Sequence, residues 1–228
     1  HYERPFSIRR LLHIDRRIIR VAWPAAAENS LFLLGKLIVG MMVAGFSGIM
    51  IAANSAANTI STIVNVPTNA LSLATITVVG QCVGAGKMEE ARYNAMRLLK
   101  LTYIAHFFMS AALFALTGPL VGMLRLPAES SRAAIELLRV YFCLTFMFEP
   151  GAFGLPNSLR ASGDNKYTMY ASIFSMAVFR VGFSFLFTQV LNMGIHGIWY
   201  GMYIDWAVRT ALFIRRYRSG KWERHVLV

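Results

Sequence analysis

Six long apolar runs constrain this chain more than any other feature. A helix that crosses the roughly 30 Å hydrocarbon core of a bilayer needs about 20 predominantly apolar residues, and the runs 18 to 45, 48 to 84, 93 to 117, 132 to 159, 167 to 190 and 194 to 214 each supply that length. Turn chemistry separates them: "GFSG" at 45 to 48, "GAGKMEE" at 84 to 90, "GPLVGMLRLPAESS" at 118 to 131, "ASGDNK" at 161 to 166 and "LNMG" at 191 to 194. The composition agrees, with 56% hydrophobic and only 15% charged residues in a chain of 228 that still carries a formal charge of +12. That combination excludes an ordinary water-soluble domain. The reading is an all-α integral membrane protein, a six-transmembrane-helix bundle over 18–214, with a cytoplasmic linker or amphipathic helix at 1–17 and a cytoplasmic tail at 215–228.

The basic residues orient the bundle. Six of the 23 Lys and Arg precede the core of the first span, four follow the second (Lys87, Arg92, Arg97, Lys100), two follow the fourth (Arg160, Lys166) and six end the chain. These 18 fall on one side, whereas the opposite connections hold only Arg125 and Arg132. The excess of basic residues in cytoplasmic loops therefore places both termini in the cytoplasm of a multi-pass protein of the plasma (inner) membrane. Before the first span, "FSIRRLLHIDRRI" alternates apolar Phe6, Leu11, Leu12 and Ile14 with arginines, as a helix lying on the cytoplasmic leaflet would. Nucleic acid is excluded as a partner, since the charge is divided among four juxtamembrane sites rather than gathered on one face. The chain opens on His1 with no signal-peptide pattern before its first apolar run, and the expectation is a segment of a longer protein.

Signals of enzymology are absent. "GQCVGAGK" places five residues between Gly80 and Gly86 where a phosphate loop needs four, and Met88 stands where that loop needs Ser or Thr, so it reads as a turn. His13, His106, His196 and His225 lack metal-ligand spacing, and Cys82 and Cys143 lie in separate apolar runs, so neither a metal nor a disulfide is expected. His106 reads as a hydrogen-bonded helix contact, with a proton relay as the alternative. The chain is not expected to be an enzyme or to hold a cofactor.

The chemistry lies in polar residues at membrane depth. A charge at the bilayer centre costs roughly 2.5 to 3.5 kcal/mol on insertion scales, and three acids pose that question: Glu28, Glu149 and Asp205. Asp205 has Arg209 one turn on, and an i,i+4 ion pair explains both. Glu28 and Glu149 have no such local partner. Lys36 lies eight residues after Glu28, about 80° around and about 12 Å along a helix, within reach only if both side chains extend. Each acid stands either as a neutral carboxyl bonded to a neighbouring helix or as a site for an exchangeable cation. Both have helix-breaking chemistry beside them, Pro24 before Glu28 and "EPGAFGLP" from Glu149 onward. Irregular backbone at that depth persists where it lines a cavity or is buried in protein.

The second run adds a polar stripe. Asn54, Asn58, Ser61, Asn65, Thr68, Asn69 and Ser72 fall within about a 100° sector of one helix. Seven polar groups exceed what one helix contact needs, so the stripe reads as the wall of a water-exposed cavity, against polar glue between helices as the alternative, with Pro67 bending the span midway.

"RVAWPAAAENSLF", the second run continuing into "VVGQCVGAGKMEEAR", "SLRASGDNKYTMYASI" and "IDWAVRTALFIRRYRSGKW" together resemble the multidrug and toxic compound extrusion (MATE) transporters over nearly the whole chain. That resemblance implies two six-helix lobes facing a central cleft, of which this chain is similar to the C-terminal one. It implies export of small cationic, partly apolar substrates in exchange for H+ or Na+, with a bilayer and a second six-helix lobe as partners. It also implies cleft positions for Glu28 and Glu149; from the polar stripe itself, Asn54, Asn58 and Asn65 are further substrate- or cation-binding candidates. A lipid or precursor flippase of the same superfamily is the alternative, and Lys36 and Arg180 facing the cleft would favour it. A non-transporting membrane subunit is another, and would turn Glu28 and Glu149 toward helix contacts.

Overall fold

The computed structural model describes residues 8–224. Among them the chain is helical throughout and contains no strand. Each of the six expected apolar runs is helical over its described residues. The first is α1 (Ile8–Ala44). It is one unbroken helix, so the basic segment 8–17 continues directly into the span; the side chains of residues 8–22, 24, 25 and 224 lie outside the described set, as do residues 1–7 and 225–228. The expected second span is two helices, α2 (Gly48–Val64) and α3 (Val66–Gly84). Pro67 causes the break. It lacks an N–H and sits in the first turn of α3, where the amide has no intrahelical partner to lose.

The third span is α4 (Met88–Ala115), followed by the short α5 (Thr117–Met123). Glu89 and Glu90 occupy the first turn of α4, where the helix dipole favours negative charge. The fourth joins α6 (Ala128–Glu149) to α7 (Leu155–Ala161) through a π-helical turn at Pro150–Gly154. The fifth joins α8 (Asn165–Phe174) to the one-turn α9 (Phe183–Phe185) through a second π-helical stretch at Ser175–Gly182, and a third, Leu186–Val190, ends it. The sixth is α10 (Ile195–Arg218), whose last turn carries Arg215, Arg216 and Arg218 against the carbonyl end of the dipole. Among the described residues, Ala26–Ala44, Val66–Gly84, Met88–Ala115 and Asn165–Val190 are each long and apolar enough to cross a membrane.

The tail is packed over its described residues, up to Arg224. A 3₁₀ turn at Lys221–Arg224 folds Trp222 back to complete burial, stacked on Tyr217 with ring centres 5.1 Å apart. Arg216 clamps the "SGD" turn by two bonds to Asp164, at 2.6 and 3.1 Å. In that turn Gly163 has φ 94°, a conformation that suits glycine because it lacks a Cβ.

Two separate apolar cores hold the bundle. One gathers residues from Ala53 to Val64, Leu113, Val121, Leu137 to Phe142 and Ile195 to Trp206. The other gathers Val79, Val83, Ala91, Ala95, Leu155, Leu159, Phe213 and Trp222. A layer of buried polar side chains lies at or near the switch from one core to the other: Thr68 in α3, His106 in α4 and Asp205 and Arg209 in α10, while in the fourth span Thr145 and Glu149 precede the switch, which falls between Ala152 and Leu155. The proline break and the first two π-helical stretches lie at the same layer. Leu33, Leu37, Phe107, Phe108 and Leu73 remain exposed on the outside, as a lipid-facing surface requires. Where α10 crosses α9 the backbones nearly touch: a Cβ at Gly201 would lie 2.5 Å from Ser184 Oγ and 2.8 Å from its backbone N. Small residues permit such close approach between membrane helices.

Candidate functional site

The polar stripe lines a cavity of about 450 Å³. Asn58, Ser61, Asn65 and Asn69 form one wall, contributed by α2 and α3 on either side of the bend. Tyr141, Trp199 and Trp206 supply an aromatic wall, and Glu149 opens onto the same space. A second cavity of about 240 Å³ shares Lys36, Asn58, Arg180 and Trp199 with the first and adds Asn54. Asn54 Oδ1 accepts the indole N–H of Trp199 at 3.0 Å, and Asn65 Oδ1 accepts the Tyr141 hydroxyl at 3.4 Å. These asparagines therefore both line the cavity and hold its aromatic wall in place.

Glu149 is the last residue of α6, and the π-helical turn that follows begins with Pro150, which has no amide to donate. Its side chain is 4% exposed and joins a hydrogen-bond chain. The Thr68 hydroxyl donates to Oε2 at 2.8 Å, and the same hydroxyl lies 3.0 Å from His106 Nδ1. His106 is fully buried, and its Nε2 lies 3.2 Å from Thr145 Oγ1. A hydroxyl both donates and accepts, and a neutral imidazole carries its proton on either nitrogen. The chain can thus run from His106 through Thr68 to a carboxylate, or from a neutral carboxyl through Thr68 to His106. Every bond is kept in either direction, so Glu149 can gain or lose a proton without leaving a buried group unpaired.

Glu28 does not line this cavity. It accepts Arg160 Nη2 at 2.6 Å, and Arg160 Nη1 also donates to Asn157 at 3.0 Å. The apolar stretch of α1 runs Ala26–Ala44, so Glu28 lies in its first turn, level with the end of α7 rather than at mid-span. Distance along the helix accounts for the difference from the sequence expectation. Glu28 and Lys36 are not paired either, and among the described residues Lys36 has no ion-pair partner.

Asp205 and Arg209 form the expected i,i+4 pair at 3.4 Å. The structure adds two partners from the fifth span. Ser175 Oγ donates to Asp205 Oδ1, and Arg180 Nη1 approaches Oδ2 at 3.9 Å. Two guanidinium groups thus share one fully buried carboxylate. Lys36, Arg180 and Arg209 all lie over the ring of Phe32, at 5.1, 5.8 and 5.4 Å from its centre, within the range of cation–π attraction.

Sequence reasoning underrated His106 and Thr68. The signal was present: an apolar span seldom carries a histidine, and its most economical partner is an acid on another span. Pairing across 81 residues of sequence between Thr68 and Glu149 could not be read from spacing.

The model of the MatE family matches residues 24–186. The chain is 27% identical to the uncharacterized transporter YisQ of Bacillus subtilis over 226 residues, covering 95% of this chain and 48% of that protein. It is 25% identical to the probable multidrug resistance protein NorM of Thermotoga maritima, covering 94% and 46%. The chain spans about half the length of the curated relatives it matches. Among solved structures, a MATE protein in complex with MaD3S superposes with a TM-score of 0.82 at 22% identity, over 92% of this chain and 46% of that one. A MOP superfamily transporter from Pyrococcus furiosus, described by the reverse polarity of its binding pocket, superposes with a TM-score of 0.80 at 21% identity, over 86% and 43%.

Proposed function

The chain belongs to the MatE family, and from that premise we propose that it is one six-helix lobe of a secondary active transporter that works by alternating access. A second lobe of like size faces the cavity, and the two rock around it. Glu149 exchanges a coupling cation, H+ or Na+, for the positive group of a partly apolar organic substrate, which is exported. The observation that carries this reading is the Thr68–Glu149–His106 chain at the edge of a polar cavity, which leaves a carboxyl able to change its charge at membrane depth. Asn54, Asn58 and Asn65 orient the substrate, and Glu28 secures the cytoplasmic end through Arg160. The half-length match to its relatives supports the missing lobe, and the multidrug name of one of them supports the substrate class.

The test is exchange by the full-length transporter in proteoliposomes. An imposed proton or sodium gradient is expected to accelerate movement of a fluorescent organic cation against its own gradient. If neither ion gradient changes the rate, the antiport reading is lost.

The basic residues support a cytoplasmic location for both termini and for the Arg160 to Lys166 turn. A cysteine placed at Asn165, in a protein whose Cys82 and Cys143 are replaced by Ala, is expected to react with an impermeant maleimide only from the cytoplasmic side. Reaction from the outside alone would reverse the topology.

A further inference from the structure

The cavity holds more positive charge than export of a simple cation calls for. Lys36 from α1 and Arg180 from the second π-helical stretch line both connected spaces, and in the smaller one no acid accompanies them. Lys36 has no acidic partner within 4.0 Å among the described residues. Arg180 is compensated only in part, because Asp205 is shared with Arg209, which stands closer to it. Arg180 Nε is buried and makes no hydrogen bond among the described residues. Two cations held over one Phe32 ring, beside Asn54, Asn58 and the Trp199 indole, form a place where an anionic group finds charge, amide donors and an aromatic face together.

We propose that Lys36 and Arg180 form an anion subsite, so that the molecule this cavity takes is amphoteric: an aromatic body with an acid group (carboxylate, sulfonate or phosphate) at Lys36 and Arg180, and a positive group at Glu149. This rests on the transport reading for the role of Glu149, and the anion subsite itself rests on the cationic pair alone. A purely cationic substrate meets repulsion from both residues and so binds less tightly than an amphoteric one. The second charge on the substrate removes that repulsion. Lysine and arginine play different parts: the mobile Lys36 ammonium follows the acid group as a point charge, whereas the Arg180 guanidinium is fixed by Asp205 and presents a planar edge.

The experiment measures quenching of cavity tryptophan fluorescence in the full-length protein, reconstituted in nanodiscs of zwitterionic lipid. Three nitroaromatic probes share one ring: 4-nitrobenzenesulfonate, (4-nitrobenzyl)trimethylammonium and zwitterionic 4-nitrophenylalanine. The zwitterion is expected to bind most tightly. Lys36→Gln is expected to weaken sulfonate and zwitterion binding about tenfold or more while leaving the ammonium probe unchanged or tighter. Lys36→Arg restores the sulfonate, which separates loss of charge from loss of fold. Dihexanoyl phosphatidic acid is the competitor that tells the source of the acid group: displacement of the sulfonate identifies a lipid phosphate as the ligand, and failure to displace it identifies a free organic anion. The proposal is overturned if the sulfonate binds equally well to the parent and to Lys36→Gln, or if the ammonium probe binds the parent more tightly than the zwitterion. Gradient-driven exchange is read separately, so either of those results would leave the transport reading standing.

Discussion

Replacing Glu149 with Gln is expected to abolish gradient-driven export while leaving the amount of folded protein near the parental level. Glutamine keeps the size of the side chain and can still accept the Thr68 hydroxyl that lies 2.8 Å away. It cannot change charge. The substitution therefore holds the site in an imitation of its protonated state, and no buried charge is stranded that would unfold the lobe. Coupling between two ligands is worth about 1 to 3 kcal/mol, or about 5- to 150-fold, and a site that has lost its coupling ion loses that whole factor, so export falls to background. Glu149→Asp keeps the charge on a shorter arm and retains part of the rate. His106→Gln, which keeps a polar group but removes the two-ended proton carrier, falls between them. Export by Glu149→Gln at the parental rate would reduce Glu149 to a structural residue.

The second large effect is on stability. Asp205→Asn is expected to cost about 3 to 5 kcal/mol, the usual penalty for leaving a buried charge without its partner, and to lower the yield of monodisperse protein in detergent several-fold. The reason is the charge count at this position. Arg209 at 3.4 Å and Arg180 at 3.9 Å both depend on one carboxylate that is wholly buried. Removing it leaves two guanidinium groups beside the same aromatic ring with no carboxylate between them. Adding Arg209→Gln to Asp205→Asn removes one of them and is expected to recover part of the loss. A thermal midpoint for Asp205→Asn equal to that of the parent would show that this cluster is solvated rather than load-carrying.

The spans, their order and most of their boundaries were legible because length and hydropathy decide them. So was the cavity wall, since the positions from Asn54 to Asn69 share one helical face and the bend at Pro67 keeps them on one side of the lobe. The i,i+4 pair of Asp205 and Arg209 was legible for the same local reason. Glu28 was expected beside the cavity and instead pairs with Arg160, a partner 132 residues away that spacing could not show. The irregular turn after Glu149 was signalled by "EPGAFGLP", but the second π-helical stretch was invisible: "SMAVFRVG" contains no proline, and it packs against α10. The Arg180–Asp205–Arg209 sharing follows from that packing and could not be foreseen from either sequence segment alone.

The division of the lobe into two apolar cores has a mechanical meaning. Each core is close-packed, and close-packed interiors resist deformation. The layer between them is joined by directional hydrogen bonds and ion pairs, and it coincides with the proline break in one span and the widened turns in two others. Compliance is therefore concentrated in a thin plane at mid-span, where Glu149, Thr68, His106 and Asp205 all lie. The lobe behaves as two stiff blocks with a soft washer between them. A change of charge at Glu149 would act within that layer, and a small local rearrangement there is expected to tilt one block against the other.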